Sequence, residues 1–257
     1  MTFCLGMRVK DGLVGIADTR VTSGSECITA RKVSIYQQEG WAMFLMTSGL
    51  RSIRDKALTY FDEIMADAEE PPDNRLFKVV NVLAEQMRRV AREDKESLDD
   101  AGFHFNMHAL VGGQLAGDHE HKLYMVYPQG NWVEIGEGTP YHIIGAGGYG
   151  KPVLDRVLKY DDAISMALKV GTLAFDSTRI SAADVEFPID IVVYVKDSYT
   201  VVSHRFEKTD LLETSTWWQE RLRHSVNELS LNWAQPLLDK LPNSPHLIPI
   251  QAKRKQG

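Results

Sequence analysis

The chain has 257 residues, enough for one large domain or two small ones, and its 44% hydrophobic and 25% charged residues are the balance of an ordinary globular protein. A formal net charge of −6 argues against a nucleic-acid surface, which needs a basic stripe; the basic cluster Lys253-Arg254-Lys255 reads as a solvated tail. Two cysteines, Cys4 and Cys27, are too few for a disulfide framework, no apolar run approaches the ~18 residues of a membrane-spanning helix, and the opening lacks a secretory signal, so the chain is expected in the reducing cytoplasm.

The opening Met1-Thr2-Phe3-Cys4-Leu5 enters a strand at once. Methionine aminopeptidase removes a first methionine only before a small residue, and threonine qualifies. Thr2 would then carry a hydroxyl and a free α-amine, the minimal equipment of an N-terminal nucleophile. The amine suits the role of base because its reference pKa is about 7.7–8.0, far below that of lysine. Many proteins begin Met-Thr, so the rest of the chain must decide.

Residues 2–9 and 13–18 read as strands around Lys10-Asp11-Gly12, a strong hairpin signal. So short a turn places Asp18, at the end of the second strand, beside Thr2. Residues 19–25 read as a polar loop, Arg31–Tyr36 as a third strand and Trp41–Thr47 as a fourth, apolar enough for burial on both faces. Ser48-Gly49 then gives way to helical spacing at Leu50, Ile53, Ala57, Phe61, Ile64 and Ala68. A glycine at this junction offers a backbone N–H near the positive end of a helix dipole, suited to an oxyanion or simply to a tight turn.

Pro71-Pro72 ends this helix, and Asp73 is placed to cap a second one with the stripe Leu76, Val80, Leu83, Ala84, Met87, Val90 and Ala91. The charged stretch Arg92–Asp100 is expected to fray. Strands follow at Phe103–Gly112, Lys122–Tyr127, Trp132–Ile135 and Tyr141–Gly145. Gly145-Ala146-Gly147-Gly148-Tyr149-Gly150 resembles a phosphate loop only superficially, because no Lys-Ser/Thr follows its last glycine. Helices are expected after Pro152 and over Asp162–Thr178, and a hairpin over Pro188–Lys196 and Tyr199–Phe206. Residues 209–240 read as helical, with Trp217-Trp218 as packing residues or a subunit anchor.

Strands, two helices, strands, two helices and strands fit an α+β fold, a four-layer αββα sandwich. Residues 1–240 read as a single domain with a C-terminal helical extension from about 207, and 241–257 as an extended tail. His104, His108, His119 and His121 offer a conceivable zinc site, yet no HxxxH helix or cysteine ligand accompanies them, and neither metal nor cofactor is expected. There is no GxSxG elbow. Thr2, Asp18, Lys32 and Gly49 can instead converge. A buried Lys32 would lower the pKa of the Thr2 hydroxyl, Asp18 would keep Lys32 charged, and the Gly49 N–H would receive an oxyanion.

The Thr2 opening, Leu13-Val14-Gly15-Ile16-Ala17-Asp18-Thr19-Arg20, Lys32-Val33 and Thr47-Ser48-Gly49 resemble the proteasome β-subunit family of N-terminal nucleophile hydrolases. The Thr-Phe-Cys start, Tyr149–Arg156 and Pro188-Ile189-Asp190 are similar to its bacterial Anbu subgroup. The resemblance spans roughly residues 2–206. It implies the αββα fold of N-terminal nucleophile hydrolases and a threonine peptidase acting on peptide or protein substrate. Thr2 would be nucleophile, Asp18 and Lys32 its activators, Gly49 the oxyanion donor and Thr47 a wall of the substrate pocket. It also implies rings or open lock-washers of identical subunits, with an ATP-dependent partner left open, and neither nucleic acid nor membrane. Two positions depart from the family. Ala146 stands where a serine is usual, and the supporting Asp-x-x-Ser becomes Thr178-Arg179-Ile180-Ser181, so Ser181 takes the serine role and Asp176 or Asp184 offers the carboxylate. Other amide chemistry, such as acyl transfer, and a scaffolding oligomer with a degenerate site are the alternatives.

Overall fold

The Asp-Gly turn folds β1 (Phe3–Val9) back on β2 (Gly12–Asp18), with Val9 opposite Gly12 and Cys4 opposite Ala17. The computed structural model describes residues 2–23, 26–66 and 74–241. The expected removal of Met1, the cap at Asp73, Ala68 and the tail from 242 lie outside them. Every residue of β1 and β2 is buried, so both strands are covered on both faces. The outer edge of β1 takes β10 (Tyr141–Gly145), and β2 takes β11 (Ile189–Val195), which pairs with β12 (Val201–Phe206).

The loop expected over residues 19–25 is in part strand: β3 (Arg20–Ser23) pairs with β4 (Glu26–Thr29). The β-branched residues Val21, Thr22, Ile28 and Thr29 favour extended backbone, and the polar residues between them masked that signal. The second sheet runs β5 (Val33–Gln38), β6 (Trp41–Gly49), β7 (Met107–Gln114), β8 (Lys122–Val126) and β9 (Trp132–Glu134), all antiparallel neighbours. The strand expected from Phe103 starts only at Met107, because Phe103 N–H closes the preceding helix on Leu98 O.

Helices α1 (Arg51–Ala66) and α2 (Leu76–Asp100) cover one face of this sheet. Ile53, Phe61, Val80, Leu83 and Met87 pack there against Met43, Leu45, Ala109 and Val111. The charged end of α2 does not fray. Lys56 of α1 bridges to Glu93 and Asp94, and Arg89 and Arg92 pair with Glu93 and Glu85. Each exposed pair contributes only about 0.3–0.5 kcal/mol, and the network across the two helices reaches Asp94; beyond it Leu98 packs against the core and the Ala101 and Phe103 N–H groups close on its carbonyl.

The opposite face meets the first sheet. Cys4, Leu13, Ala17, Ile144 and Val192 interleave there with Phe44, Met46, Leu110 and Leu123. A Cβ at Gly112 would lie 2.6 Å from Phe44 Cζ, so the ring occupies the space that glycine leaves. After α3 (Lys151–Val157), α4 (Ile164–Ser181) lies on the outer face of β1 and β2, with Gly171 against Met7 and Ile16 and the Phe3 and Phe175 rings 5.9 Å apart. The fold is thus mixed α and β, with antiparallel sheets.

The chain divides after Asp210 into two compact units. The second holds α5 (Leu212–Glu228), a 3-10 turn at Asn232–Ala234 and α6 (Gln235–Leu238), which completes six α-helices among the described residues. Trp217 and Trp218 stack at 6.4 Å, and Leu222, Val226, Leu229 and Trp233 are exposed. Among the described residues no helix is long and apolar enough to cross a membrane.

Candidate active site

Thr2 sits where three strands end together. Its carbonyl accepts from the Ala146 N–H at 2.7 Å, and Phe3 lies opposite Gly145 of β10. Gly145 has φ of +91°, and a Cβ there would fall 1.9 Å from Thr2 O. Only glycine fits both the left-handed backbone and this approach. Gly145→Ala is therefore expected to displace Thr2, lowering stability by roughly 1–3 kcal/mol and activity by a larger factor, as thermal melts and initial rates would record.

On the other side Asp18 ends β2 and is fully buried. Its Oδ1 accepts from the Phe3 N–H at 2.8 Å and from the Lys32 ammonium at 2.6 Å. Lys32, 4% exposed, also donates to Arg20 O at 2.7 Å. These two bonds use two of the three ammonium donors. Lys32 precedes β5 and is tied alongside β6 by the bond from Thr47 N–H to its carbonyl, 3.2 Å. Burial raises the Asp18 carboxyl above the ordinary range, against the lowering by the Lys32 ammonium and the Phe3 N–H. Nearby, burial pushes the Cys4 thiol up to about 12, so it stays protonated and is no rival nucleophile.

Strand alternation orients Gly49. Thr47 N–H points to the β5 side and Leu50 N–H donates to Asn106 O on the β7 side at 2.9 Å. Gly49, two residues after Thr47, directs its N–H to the β5 side, where β5 has already ended. Its φ is +123°, and a Cβ would lie 2.0 Å from Asn106 O. The first turn of α1 follows at Arg51 and adds its dipole.

Thr2, Lys32, Thr47 and Gly49 line one cleft of about 730 Å³. Five of the residues expected from the sequence therefore come together: these four, and Asp18, which is joined to them through Lys32 and Phe3. Ser181 does not join them. It is the last residue of α4, exposed, and lines no part of the cleft. Asp176 is buried against Arg179 at 2.7 Å, and neither it nor Asp184 lines the cleft. Ala146 contributes its N–H to Thr2 and only a methyl group beyond that.

The histidines divide. His121 is buried with Nε2 bonded to Val9 O, and His119 borders a separate surface pocket. Among the described residues no group of three or more His, Cys, Asp and Glu is placed to hold a metal. His104 and His108 instead border the Thr2 cleft, and so does His142, which sequence reasoning missed. His142 is brought there only by the pairing of β10 with β1, a contact between strands over 130 residues apart. Burial holds the His108 and His142 imidazoles below the usual histidine value, and for His142 the His108 and Lys151 charges add to it.

No protein-family model matches the chain, and no curated protein matches it. Solved structures do. Anbu (ancestral beta-subunit) from Yersinia bercovieri has a TM-score of 0.82 at 29% identity, covering 89% of this chain and 97% of that one. The Anbu (Gly-1) mutant from Hyphomicrobium sp. strain MC1 has 0.81 at 28%, covering 90% and 98%. The helical assembly of the Anbu complex from Pseudomonas aeruginosa has 0.80 at 26%, covering 95% and 98%. These likenesses run over nearly the whole chain and support a proteasome-like relationship to Anbu.

Proposed function

We propose that this relative of the Anbu proteins is a threonine-type peptidase with Thr2 as nucleophile once the residue before it is removed. The observation that carries the reading is the double use of Asp18 Oδ1, which accepts both from Lys32 and from the backbone N–H next to Thr2. Lys32, Thr2 and Gly49 border the same cleft. In the reaction, the Thr2 α-amine takes the hydroxyl proton as Oγ attacks the substrate carbonyl, and Lys32 stabilises the developing alkoxide. The Gly49 N–H receives the oxyanion. The proton passes to the leaving amine, the C–N bond breaks, and water cleaves the ester to restore Thr2.

The packing of two helices on one sheet, sheet on sheet, and α4 on the other supports a four-layer αββα sandwich of N-terminal nucleophile type. Assembly with identical subunits is the expected state, and the reducing cytoplasm the expected place. Hydrolysis of a fluorogenic peptide amide by the processed protein, stopped by a β-lactone, tests the activity. Absence of both turnover and inhibition would overturn it.

Two observations favour a second reading, a scaffolding oligomer with a degenerate site. Ser181 stands outside the cleft, and Ala146 offers a methyl where a hydroxyl would help. That reading expects no turnover and no β-lactone adduct.

The raised Asp18 carboxyl gives a pH test. Protonation of Asp18 removes the partner that keeps Lys32 oriented, so activity falls at a pH above that of an ordinary carboxylate. The stability sign is opposite. A raised folded pKa means that the folded chain holds this proton more tightly than the unfolded one, so this group's stabilisation is present at low pH and lost as pH rises through the folded pKa. Mild acid should inactivate before it unfolds, as rate profiles and melts in the same buffers would record.

A further inference from the structure

This inference rests on Thr2 as nucleophile and concerns the side chain that the cleft takes. Every described titratable residue lining the cleft is basic: Lys32, Arg51, Arg54, His104, His108 and His142. No described aspartate or glutamate lines it. The charge of Lys32 is matched by Asp18 at 2.6 Å. Arg51 and Arg54 share one carboxylate, Asp55, at 3.1 and 2.7 Å, so two guanidiniums meet one negative charge and one positive charge is in excess. His104 stands at the rim, 95% exposed, with Asp99 at 3.8 Å.

His108 and His142 come from opposite sheets. His108 shares the strand face of Leu110, and His142 that of Ile144, the faces by which the two sheets pack together. The two imidazoles therefore border the cleft where the sheets part. As neutral rings each offers one N–H donor. Leu50, Met125 and Ile143 supply apolar wall. A carboxylate on a short aliphatic stem would find imidazole N–H donors from both sheets and excess positive charge at α1. A lysine would meet that same excess. A leucine would cover the half-buried imidazoles without offering their N–H groups an acceptor, and would leave the excess charge at α1 uncompensated.

We propose that the cleft selects peptides with glutamate or aspartate on the acyl side of the scissile bond, with Arg51 and Arg54 supplying charge and His108 and His142 supplying hydrogen bonds. The test uses the full processed chain and three fluorogenic peptides that differ only in glutamate, leucine or lysine at that position. Capture of Thr2 by a β-lactone that carries no such side chain is followed in parallel. Capture together with a glutamate peptide cleaved about tenfold or more faster than the others is the expected result. Capture with leucine or lysine preferred, with no preference, or with none of the three cleaved overturns the acidic-residue assignment and leaves the nucleophile standing. No capture overturns the nucleophile, and this assignment with it. Arg51→Met, at an exposed helix position, and His142→Leu should each lower the glutamate-to-leucine ratio of kcat/KM several-fold. A ratio unmoved by both contradicts the proposal even where glutamate is preferred.

Discussion

Thr2→Ala should reduce peptide hydrolysis by about 10⁴-fold or more in kcat/KM and leave the fold intact. The substitution removes one oxygen and one methyl group from a half-buried side chain at the rim of a cleft. The backbone contacts that position the residue, from Ala146 N–H and opposite Gly145, remain. Stability should therefore change by no more than about 0.5 kcal/mol. Thr2→Ser keeps both hydroxyl and amine and should retain measurable turnover. Rates alongside thermal melts separate the cases: Thr2→Ala within tenfold of the parent would mean that the hydroxyl is not the nucleophile.

Lys32→Met should lower stability by about 3–5 kcal/mol, because it leaves the fully buried Asp18 carboxylate without its cation. For a unit of this size that corresponds to a melting temperature lower by roughly 10 °C. The loss should be larger in alkaline than in mildly acidic buffer, since Asp18 escapes the penalty by taking a proton. Asp18→Asn should also destabilise, by stranding the ammonium, and should free the Phe3 N–H from its charged acceptor. The double substitution should recover part of the combined loss, because it buries no unpaired charge. Additive losses would show that the two residues are not coupled. Both single variants should lose activity beyond what their stability explains, since Lys32→Met removes the positive charge beside Thr2 and Asp18→Asn removes the carboxylate that orients it.

Much of this site could be read from the chain because its parts are local. Asp11-Gly12 specifies the hairpin, and the hairpin brings Asp18 back to the start of β1. Lys32 and Gly49 lie next to strands whose apolar runs were evident, and the strand-to-helix change at Gly49 was marked by a shift in hydrophobic period. The residues that escaped depend on distant pairing. His142 reaches the cleft because β10 joins the far edge of β1, and nothing in Tyr141-His142-Ile143-Ile144-Gly145 announces that neighbour. Ser181 was placed by resemblance alone, and its position in the last turn of α4 leaves it exposed. The β3–β4 ribbon escaped because two four-residue strands rich in polar residues carry little periodic signal. The order of the charged end of α2 is not legible in the chain because its support, Lys56 of α1 on Glu93 and Asp94 and the packing of Leu98 against the core, comes from contacts between elements.

Peptide mapping after reaction with an epoxyketone tests the central claim most directly, because that electrophile needs an amine and a hydroxyl on the same residue. The expected result is an N-terminal peptide that begins at Thr2, lighter by one methionine residue, and carries the adduct on Thr2, with hydrolysis lost in proportion to labelling. An unmodified Thr2, or hydrolysis that persists while Met1 is still attached, would contradict it.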